Sequence, residues 1–96
     1  MNNIQNSSID RLFDVIMHLG SREECYDFFS DVFTVKELQD MAQRLDTAIL
    51  LDQGVSDQNI TKEIGVSAAT KGRVSRCLNY GSGGYRRVID SLKEND

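Results

Sequence analysis

Apolar residues recur along this chain at intervals of three and four, which is the spacing that places side chains on one face of an α-helix. Six segments share this spacing, and glycine or a capping residue separates each segment from the next. The pattern therefore predicts an all-α fold of about six helices. At 96 residues the chain forms one domain, residues 1–96, that buries little surface by itself, so we expect it to associate.

Three helices are predicted in the first half, over residues 8–53. Ser7 or Ser8 caps the first, and the sequences Ser21–Glu24 and Thr34–Glu37 have the capping-box form that opens a helix. The third helix is the longest and ends before Gly54. The residues expected to face inward are Ile9, Leu12, Phe13, Ile16, Leu19, Cys25, Phe28, Phe29, Val32, Leu38, Met41, Ala42, Leu45, Ala48, Ile49 and either Leu51 or Leu50.

Residues 56–79 predict two short helices joined by a tight turn. Ser56 caps the first helix, and Gly65 breaks it. Ser67 caps the second helix, whose inward positions are Val74, Cys77 and Leu78. This arrangement is typical of the helix-turn-helix, in which the second helix reads the major groove of DNA. A last helix over residues 84–93 places Tyr85, Val88, Ile89 and Leu92 inward.

Charge is distributed unevenly along the chain. The net charge is -4, which by itself argues against a nucleic-acid binder. Residues 1–60 carry eleven acidic and four basic side chains, whereas residues 61–87 carry one acidic and six basic side chains. The basic charge is therefore concentrated around the second helix of the predicted motif, where it can meet phosphates.

No pattern in the chain predicts an enzyme or a metal site. His18 is the only histidine and has no cysteine or carboxylate at metal-ligand spacing. Cys25 and Cys77 lie on different predicted helices, so we expect buried, reduced thiols. The glycine-rich stretch 81–84 lacks a preceding strand and a Gly-Lys-Ser ending, which favours a hinge over a nucleotide loop. With no signal or membrane segment visible, we expect a cytoplasmic protein without a membrane partner.

The order of the motifs resembles the tryptophan repressor superfamily. The resemblance covers almost the whole chain and is carried by the run from Leu38 to Leu78, LQDMAQRLDTAILLDQGVSDQNITKEIGVSAATKGRVSRCL. The phrases RCLNYG, AQRLDTAILLDQG and the upstream EECYDFFSDVFTVKEL are similar to its small YerC/YecD branch. The resemblance implies six helices in an intertwined homodimer, with residues 8–53 supplying the dimerisation helices. It also implies that each subunit binds operator DNA through its helix-turn-helix.

The resemblance, taken position by position, implies DNA contacts by Gln58, Lys62, Ala68, Ala69, Thr70 and Gly72. Lys62 can neutralise a phosphate, and the alanines can touch thymine methyl groups. Ser67 at the start of the reading helix, with Lys71, Arg73 and Arg76 on it, completes the predicted DNA-binding set. Lys71 occupies a motif position that is ordinarily apolar, and Gly72 follows it. We expect this pair to loosen the helix or to direct Lys71 toward the phosphates.

The family's tryptophan pocket corresponds here to Arg44, Arg73, Val74 and Cys77. In the family, a glycine occupies the position of Val74 and leaves room for the indole ring. The branched Val74 should fill that room, so we expect no cofactor and no tryptophan corepressor. Taken together, these features predict a homodimeric DNA-binding regulator that acts as a repressor. The alternative is a helical dimerisation or adaptor protein without DNA binding.

Overall fold

The computed structural model of the protein describes residues 5–94. Within that range it contains six helices and no strand, which confirms the predicted all-α fold. None of the described helices combines the length and apolar character needed to cross a membrane. Residues 1–4 and 95–96 belong to the predicted domain 1–96 but lie outside the described residues. The helices are α1 (Ser7–Met17), α2 (Arg22–Val32), α3 (Val35–Asp52), α4 (Asp57–Ile64), α5 (Ala68–Tyr80) and α6 (Gly84–Glu94).

Asn6, and neither Ser7 nor Ser8, caps the first helix. Its side-chain oxygen accepts a hydrogen bond of 2.9 Å from the amide of Ile9, and the helix begins at Ser7. The predicted serine cap was wrong by one or two positions. Asparagine caps a helix as well as serine does, and the sequence Asn-Ser-Ser offers three candidates in a row.

The two predicted capping boxes both open helices. At α3 the box is complete, since Thr34 accepts from the Glu37 amide at 3.1 Å and Glu37 accepts from the Thr34 amide at 2.9 Å. Hydrogen bonds donated to the Glu37 carboxylate by the amide and the hydroxyl group of Thr34 hold the pKa of Glu37 below its usual value. At α2, Ser21 accepts from the Glu24 amide at 3.1 Å, but the Glu24 carboxylate accepts from the amide of Gly20 at 2.7 Å.

The chain divides into two compact units, with the boundary between Leu38 and Gln39. In the first unit, neither α1 nor α2 contains a buried residue. Phe13 and Val32, both predicted to face inward, are 48% and 51% exposed. Their predicted burial is therefore wrong for a single chain, because α1 and α2 present apolar side chains that this chain does not cover. The single-domain organisation stays a prediction.

The second unit, from Gln39 onward, contains a small hydrophobic core. Ala48 of α3, Val74 of α5 and Ile89 of α6 are each at most 2% exposed and pack together. Ile60 of α4 is fully buried, and Val66 in the turn after α4 is 6% exposed. This core fixes α5, the predicted reading helix, by its Val74 face. The partly buried residues packed against the core are Ile49, Leu51, Leu78 and Tyr85.

Five residues of the second unit that were predicted to face inward are exposed in this chain. They are Met41, Ala42, Cys77, Val88 and Leu92. Both cysteines are free thiols, and Cys25 is only partly buried, so the prediction of two buried thiols was wrong. The helical spacing identified the apolar face correctly. It could not show that one chain is too small to cover the whole of that face.

Asp52, at the end of α3, forms ion pairs with two basic residues of α6. The side chain of Asp52 is 11% exposed, and its two oxygens contact Arg86 at 2.6 Å and Lys93 at 2.8 Å. Hydrogen bonds from Lys93 and Arg86 hold the pKa of the Asp52 carboxyl below its usual value. The pairing therefore holds α6 against α3 beside the Ile89 contact.

Two glycines define the connection from α5 to α6. The amide of Gly81 donates to the carbonyl oxygen of Cys77 at 2.9 Å, and a Cβ atom at position 81 would lie 2.4 Å from that same oxygen. Gly83 has a φ angle of +90°, a conformation that favours glycine. The backbone needs glycine at both positions for steric reasons, which accounts for the glycine-rich sequence.

Candidate nucleic-acid interface

The helix-turn-helix lies entirely in the second unit and is defined by its caps. The Ser56 hydroxyl accepts from the Asn59 amide at 3.3 Å, and α4 ends at Gly65, whose φ angle is +78°. The Ser67 hydroxyl then accepts from the Thr70 amide at 3.1 Å, and α5 begins. Val66 between these caps is buried and anchors the turn. The predicted boundaries 56–79 correspond to Ser56 through Tyr80 in the structure.

The outward face of α5 carries small residues and arginines. Ala68, Ala69, Arg73 and Arg76 are all exposed, and they lie on the helix away from the buried Val74. Gly72 is half-buried, and a Cβ atom there would lie 3.4 Å from Nη1 of Arg76. The Arg76 side chain therefore folds back along the helix and covers Gly72.

The guanidinium groups of Arg73 and Arg76 form no hydrogen bond or ion pair with any residue in the described range 5–94. Gln58 and Lys62 on α4 are exposed as well. Three of these side chains are cationic and reach solvent, so the motif presents positive charge on an otherwise acidic chain. Exposed, unpaired cations can bind the phosphates of a nucleic acid.

Lys71 does not point outward with the arginines. Its ammonium group donates to the hydroxyl of Thr61 at 2.6 Å and to the carbonyl oxygen of Asp57 at 3.1 Å. The pair Lys71 and Gly72 was expected either to loosen the reading helix or to direct Lys71 toward the phosphates. In the structure α5 runs without interruption, and Lys71 joins it to α4. Thr61 and Asp57 were missed as its partners. Nothing in the spacing of ten and fourteen residues signals that contact.

The hydroxyl group of Thr70 is also engaged within the motif. Ser67 Oγ lies 3.1 Å from Thr70 Oγ1, so the capping serine and the threonine share a hydrogen bond. Thr70 is half-buried, on the same side of α5 as Val74 four residues later. Ser67 therefore acts as the helix cap and as a partner for Thr70.

Of the four residues that correspond to the family's effector pocket, one is buried in the core and three are exposed. Val74 is 1% exposed and packs in the core, where it fills the space on that side of α5. Arg44, Arg73 and Cys77 are all exposed. An open, mostly apolar groove of about 530 Å³ lies beside Cys77. It is lined by Leu45, Cys77, Gly81, Ser82, Gly84, Tyr85 and Val88.

A comparison of the sequence with protein families gives a match over residues 7–93 to the model of the Trp repressor protein. The chain belongs to the Trp repressor family. This is a family of regulators and not of enzymes. The match includes every described helix except the final residue of α6, Glu94.

One protein sequence and two solved structures are similar to this chain over nearly its whole length. The uncharacterized protein YerC of Bacillus subtilis is 43% identical over 93 residues, which cover 97% of this chain and 89% of YerC. A crystal structure of a candidate Trp repressor from Staphylococcus aureus matches with a TM-score of 0.90 and 41% identity, covering 94% of this chain and 90% of the other. The crystal structure of a TrpR-like protein from Eubacterium eligens matches with a TM-score of 0.92 and 38% identity, covering 97% of this chain and 96% of the other.

Proposed function

We propose that this Trp repressor family member is a homodimeric transcriptional regulator that binds double-stranded DNA through α4 and α5 and acts as a repressor. The observation that supports this function best is the pair Arg73 and Arg76. Both are exposed on the outward face of α5, and both lack a partner within the described residues.

The charge of the motif suits phosphate binding. Residues 61–87 carry six basic side chains and one acidic side chain, whereas the whole chain has a net charge of -4. Arg86 is committed to Asp52, and Lys71 to Thr61. Arg87 lies on α6, outside the motif, so Lys62, Arg73 and Arg76 remain as the exposed cations of the motif, and each is suited to neutralising one phosphate.

Dimerisation accounts for the apolar side chains that one chain leaves uncovered. Both α1 and α2 lack a buried residue, and Met17 is 79% exposed. Burying such side chains between two chains releases water from apolar surface and stabilises the pair. A two-fold dimer presents two copies of α5 to a duplex, so the bound site is palindromic with half-sites about one helical turn, or a multiple of it, apart.

An adaptor protein without DNA binding is the second candidate function. The net negative charge and the internal use of Lys71 favour it, since both reduce the cationic surface offered to DNA. It requires the same exposed apolar side chains for association. The two functions differ in one respect, because only the regulator binds a duplex with an affinity that falls as salt is added.

The test is selection of bound duplexes from a random pool at two salt concentrations, with the mass of the protein in solution measured in parallel. Arg73→Ala and Arg76→Ala are each expected to weaken binding to all sequences and to lower the salt slope by about one unit. Arg22→Ala is the matched control, because Arg22 is an exposed arginine on α2, outside the motif.

The regulator predicts enrichment of a palindromic site and a mass of two chains. Enrichment of a single half-site would contradict two-fold recognition. Unchanged salt slopes for Arg73→Ala and Arg76→Ala would remove both arginines from the interface. Failure to enrich any duplex at either salt concentration would favour the adaptor.

A further inference from the structure

Helix α4 has few apolar contacts with which to fix its orientation. Of its eight residues, all of them described, only Ile60 is buried, and Ile64 is partly buried. The other six residues are exposed. Apolar packing is non-directional, so these two isoleucines hold α4 against the core but define its rotation about its own axis only weakly.

The side chain of Lys71 gives α4 a directional contact with α5. Its ammonium group donates to the hydroxyl oxygen of Thr61 at 2.6 Å and to the carbonyl oxygen of Asp57 at 3.1 Å. Thr61 and Asp57 are four residues apart, so both acceptors lie on one side of α4. We call these two hydrogen bonds the Lys71 bridge. Hydrogen bonds have preferred angles, so the Lys71 bridge defines the rotation of α4 relative to α5.

The Lys71 bridge joins the two helices close to their exposed cations. Thr61 directly precedes Lys62 on α4, and Lys71 precedes Arg73 by two residues on α5. In a helix-turn-helix the second helix enters the major groove while the first crosses the backbone, so both helices meet the duplex at once. The rotation of α4 relative to α5 therefore determines whether Lys62 and Arg73 can bind phosphates together.

We propose that Lys71 is a positioning residue for DNA binding, and that the Lys71 bridge holds α4 and α5 in the arrangement that a duplex requires before any duplex is bound. This proposal rests on the DNA-binding function proposed above, and it gives Lys71 a role in affinity without contact with DNA. Without the bridge, α4 samples several rotations, and only the fraction of chains in the competent arrangement binds. The apparent dissociation constant rises as the inverse of that fraction.

The test measures affinity for the tightest palindromic duplex obtained by selection, at several salt concentrations. Thr61→Val keeps the shape of the side chain and removes the hydroxyl group, so the hydrogen bond of 2.6 Å is lost. Affinity should fall about fivefold for each bound chain, and so about 25-fold for a dimer, which is the change that one net hydrogen bond per chain supports. Lys71→Met should weaken binding at least as much. Thr61→Ser keeps the hydroxyl group and should recover most of the affinity.

Three further measurements distinguish positioning from a phosphate contact or a general loss of stability. The slope of log affinity against log salt should match that of the wild type in both variants, because no phosphate contact is lost. Adding Thr61→Val to Lys71→Met should have little further effect, because both substitutions remove the same bridge. In the unbound protein, the amides of α4 should exchange hydrogen faster, whereas those of α6 should exchange at the wild-type rate.

Lys36→Met is the matched control for Lys71→Met. It removes the same charge from an exposed lysine on α3, outside the motif, and should leave affinity unchanged. If Lys71→Met folds poorly, Thr61→Val decides the question by itself, because Thr61 is exposed and valine has the same shape.

The outcomes separate this proposal from the function on which it rests. Wild-type affinity in Thr61→Val and Lys71→Met would overturn positioning and leave DNA binding intact. A reduced salt slope for Lys71→Met would also contradict it, since Lys71 would then bind a phosphate itself. Unchanged exchange of the α4 amides in both variants would show that the Lys71 bridge does not hold the helix. Absence of wild-type binding to every duplex would overturn both the regulator function and the positioning role.

Discussion

The ammonium group of Lys71 lies 2.6 Å from the hydroxyl oxygen of Thr61, which joins α5 to α4 inside the helix-turn-helix. The Thr61 hydroxyl donates in turn to the carbonyl oxygen of Asp57 at 3.0 Å, and this oxygen also accepts from Lys71 at 3.1 Å. Two of these three hydrogen bonds, both donated by Lys71, connect the two helices at a position where the family motif ordinarily has an apolar side chain. They also direct the charge of Lys71 away from the outward face of α5.

Replacing this lysine should not change the salt dependence of DNA binding. Lys71→Met keeps a long apolar side chain and removes the charge. We expect an unchanged slope of log affinity against log salt, because the ammonium group is engaged with α4. Lys62→Met, at an exposed position of α4, should lower the slope by about 0.9. Equal reductions in the two variants would show that Lys71 leaves Thr61 and binds a phosphate.

Replacing Gly72 with alanine should stabilise the protein. Gly72 lies inside α5, where alanine is favoured over glycine by about 1 kcal/mol. The added Cβ atom would meet only Nη1 of Arg76, at 3.4 Å, and this flexible side chain can move slightly. Urea unfolding should show the increase in the free energy of unfolding.

Gly65→Ala is the matched control for Gly72→Ala. Gly65 has a φ angle of +78°, so a side chain there strains the backbone, and the protein should lose about 1 to 2 kcal/mol. A loss of stability for Gly72→Ala would mean that the Arg76 side chain cannot move away from the added Cβ atom. Glycine would then be required at position 72 to make room for Arg76.

The ion pairs of Asp52 should make the stability of α6 sensitive to acid. Hydrogen bonds from Lys93 and Arg86 lower the pKa of Asp52 in the folded state. The carboxylate therefore stabilises the folded protein above its unfolded pKa of about 4, and this contribution is lost as pH falls through the lower, folded pKa. Asp52→Asn should remove the contribution.

The measurement is urea unfolding of wild-type protein and Asp52→Asn between pH 2 and pH 7. The difference between them should be largest at neutral pH and should shrink below about pH 4. Asp90→Asn is the control, because the Asp90 side chain is 53% exposed and 3.8 Å from Arg86. A difference that stays constant across the pH range would show that the Asp52 charge does not stabilise the fold.

The fold followed from the sequence more completely than the interface did. Helical spacing and caps such as Thr34 define their elements locally, so their prediction needed only neighbouring residues. The Lys71 contact depends on how α4 and α5 pack, and no short-range pattern encodes it. The exposure of Phe13 and Cys77 depends on how much surface one chain can cover, which periodicity does not measure. The DNA-contact residues and the absence of a corepressor stay predictions.

Tryptophan should not bind to the wild-type protein. Val74 packs between Ala48 and Ile89 and fills the position at which the family's pocket has a glycine. Calorimetric titration with tryptophan should therefore give no saturable heat. Val74→Ala should cost about 2 to 3 kcal/mol of stability, because it removes two buried carbon atoms from a close-packed core. Saturable heat with the wild-type protein would contradict the argument that Val74 fills the pocket.

A charge on the apolar side of α1 should disrupt association. Phe13 is 48% exposed in one chain, and we expect a second chain to cover it. Phe13→Asp should shift the mass in solution from two chains toward one, since an unpaired carboxylate resists burial. Arg11→Gln is the control and should leave the mass unchanged, because Arg11 is exposed and lies on the side of the same helix away from Phe13. If the mass of Phe13→Asp were still that of two chains, Phe13 would lie outside the contact between the chains.

Gly81 shows that solvent exposure is a poor guide to which positions tolerate change. The residue is exposed, yet a Cβ atom there would lie 2.4 Å from the carbonyl oxygen of Cys77, closer than unstrained atoms come. In a deep mutational scan, position 81 should therefore behave like an interior residue, whereas Gly84, which is also exposed and has open space around it, should accept substitution. The connection from α5 to α6 is therefore constrained by the conformation of the backbone at Gly81. An exposed position in this family can be intolerant of substitution for that reason alone.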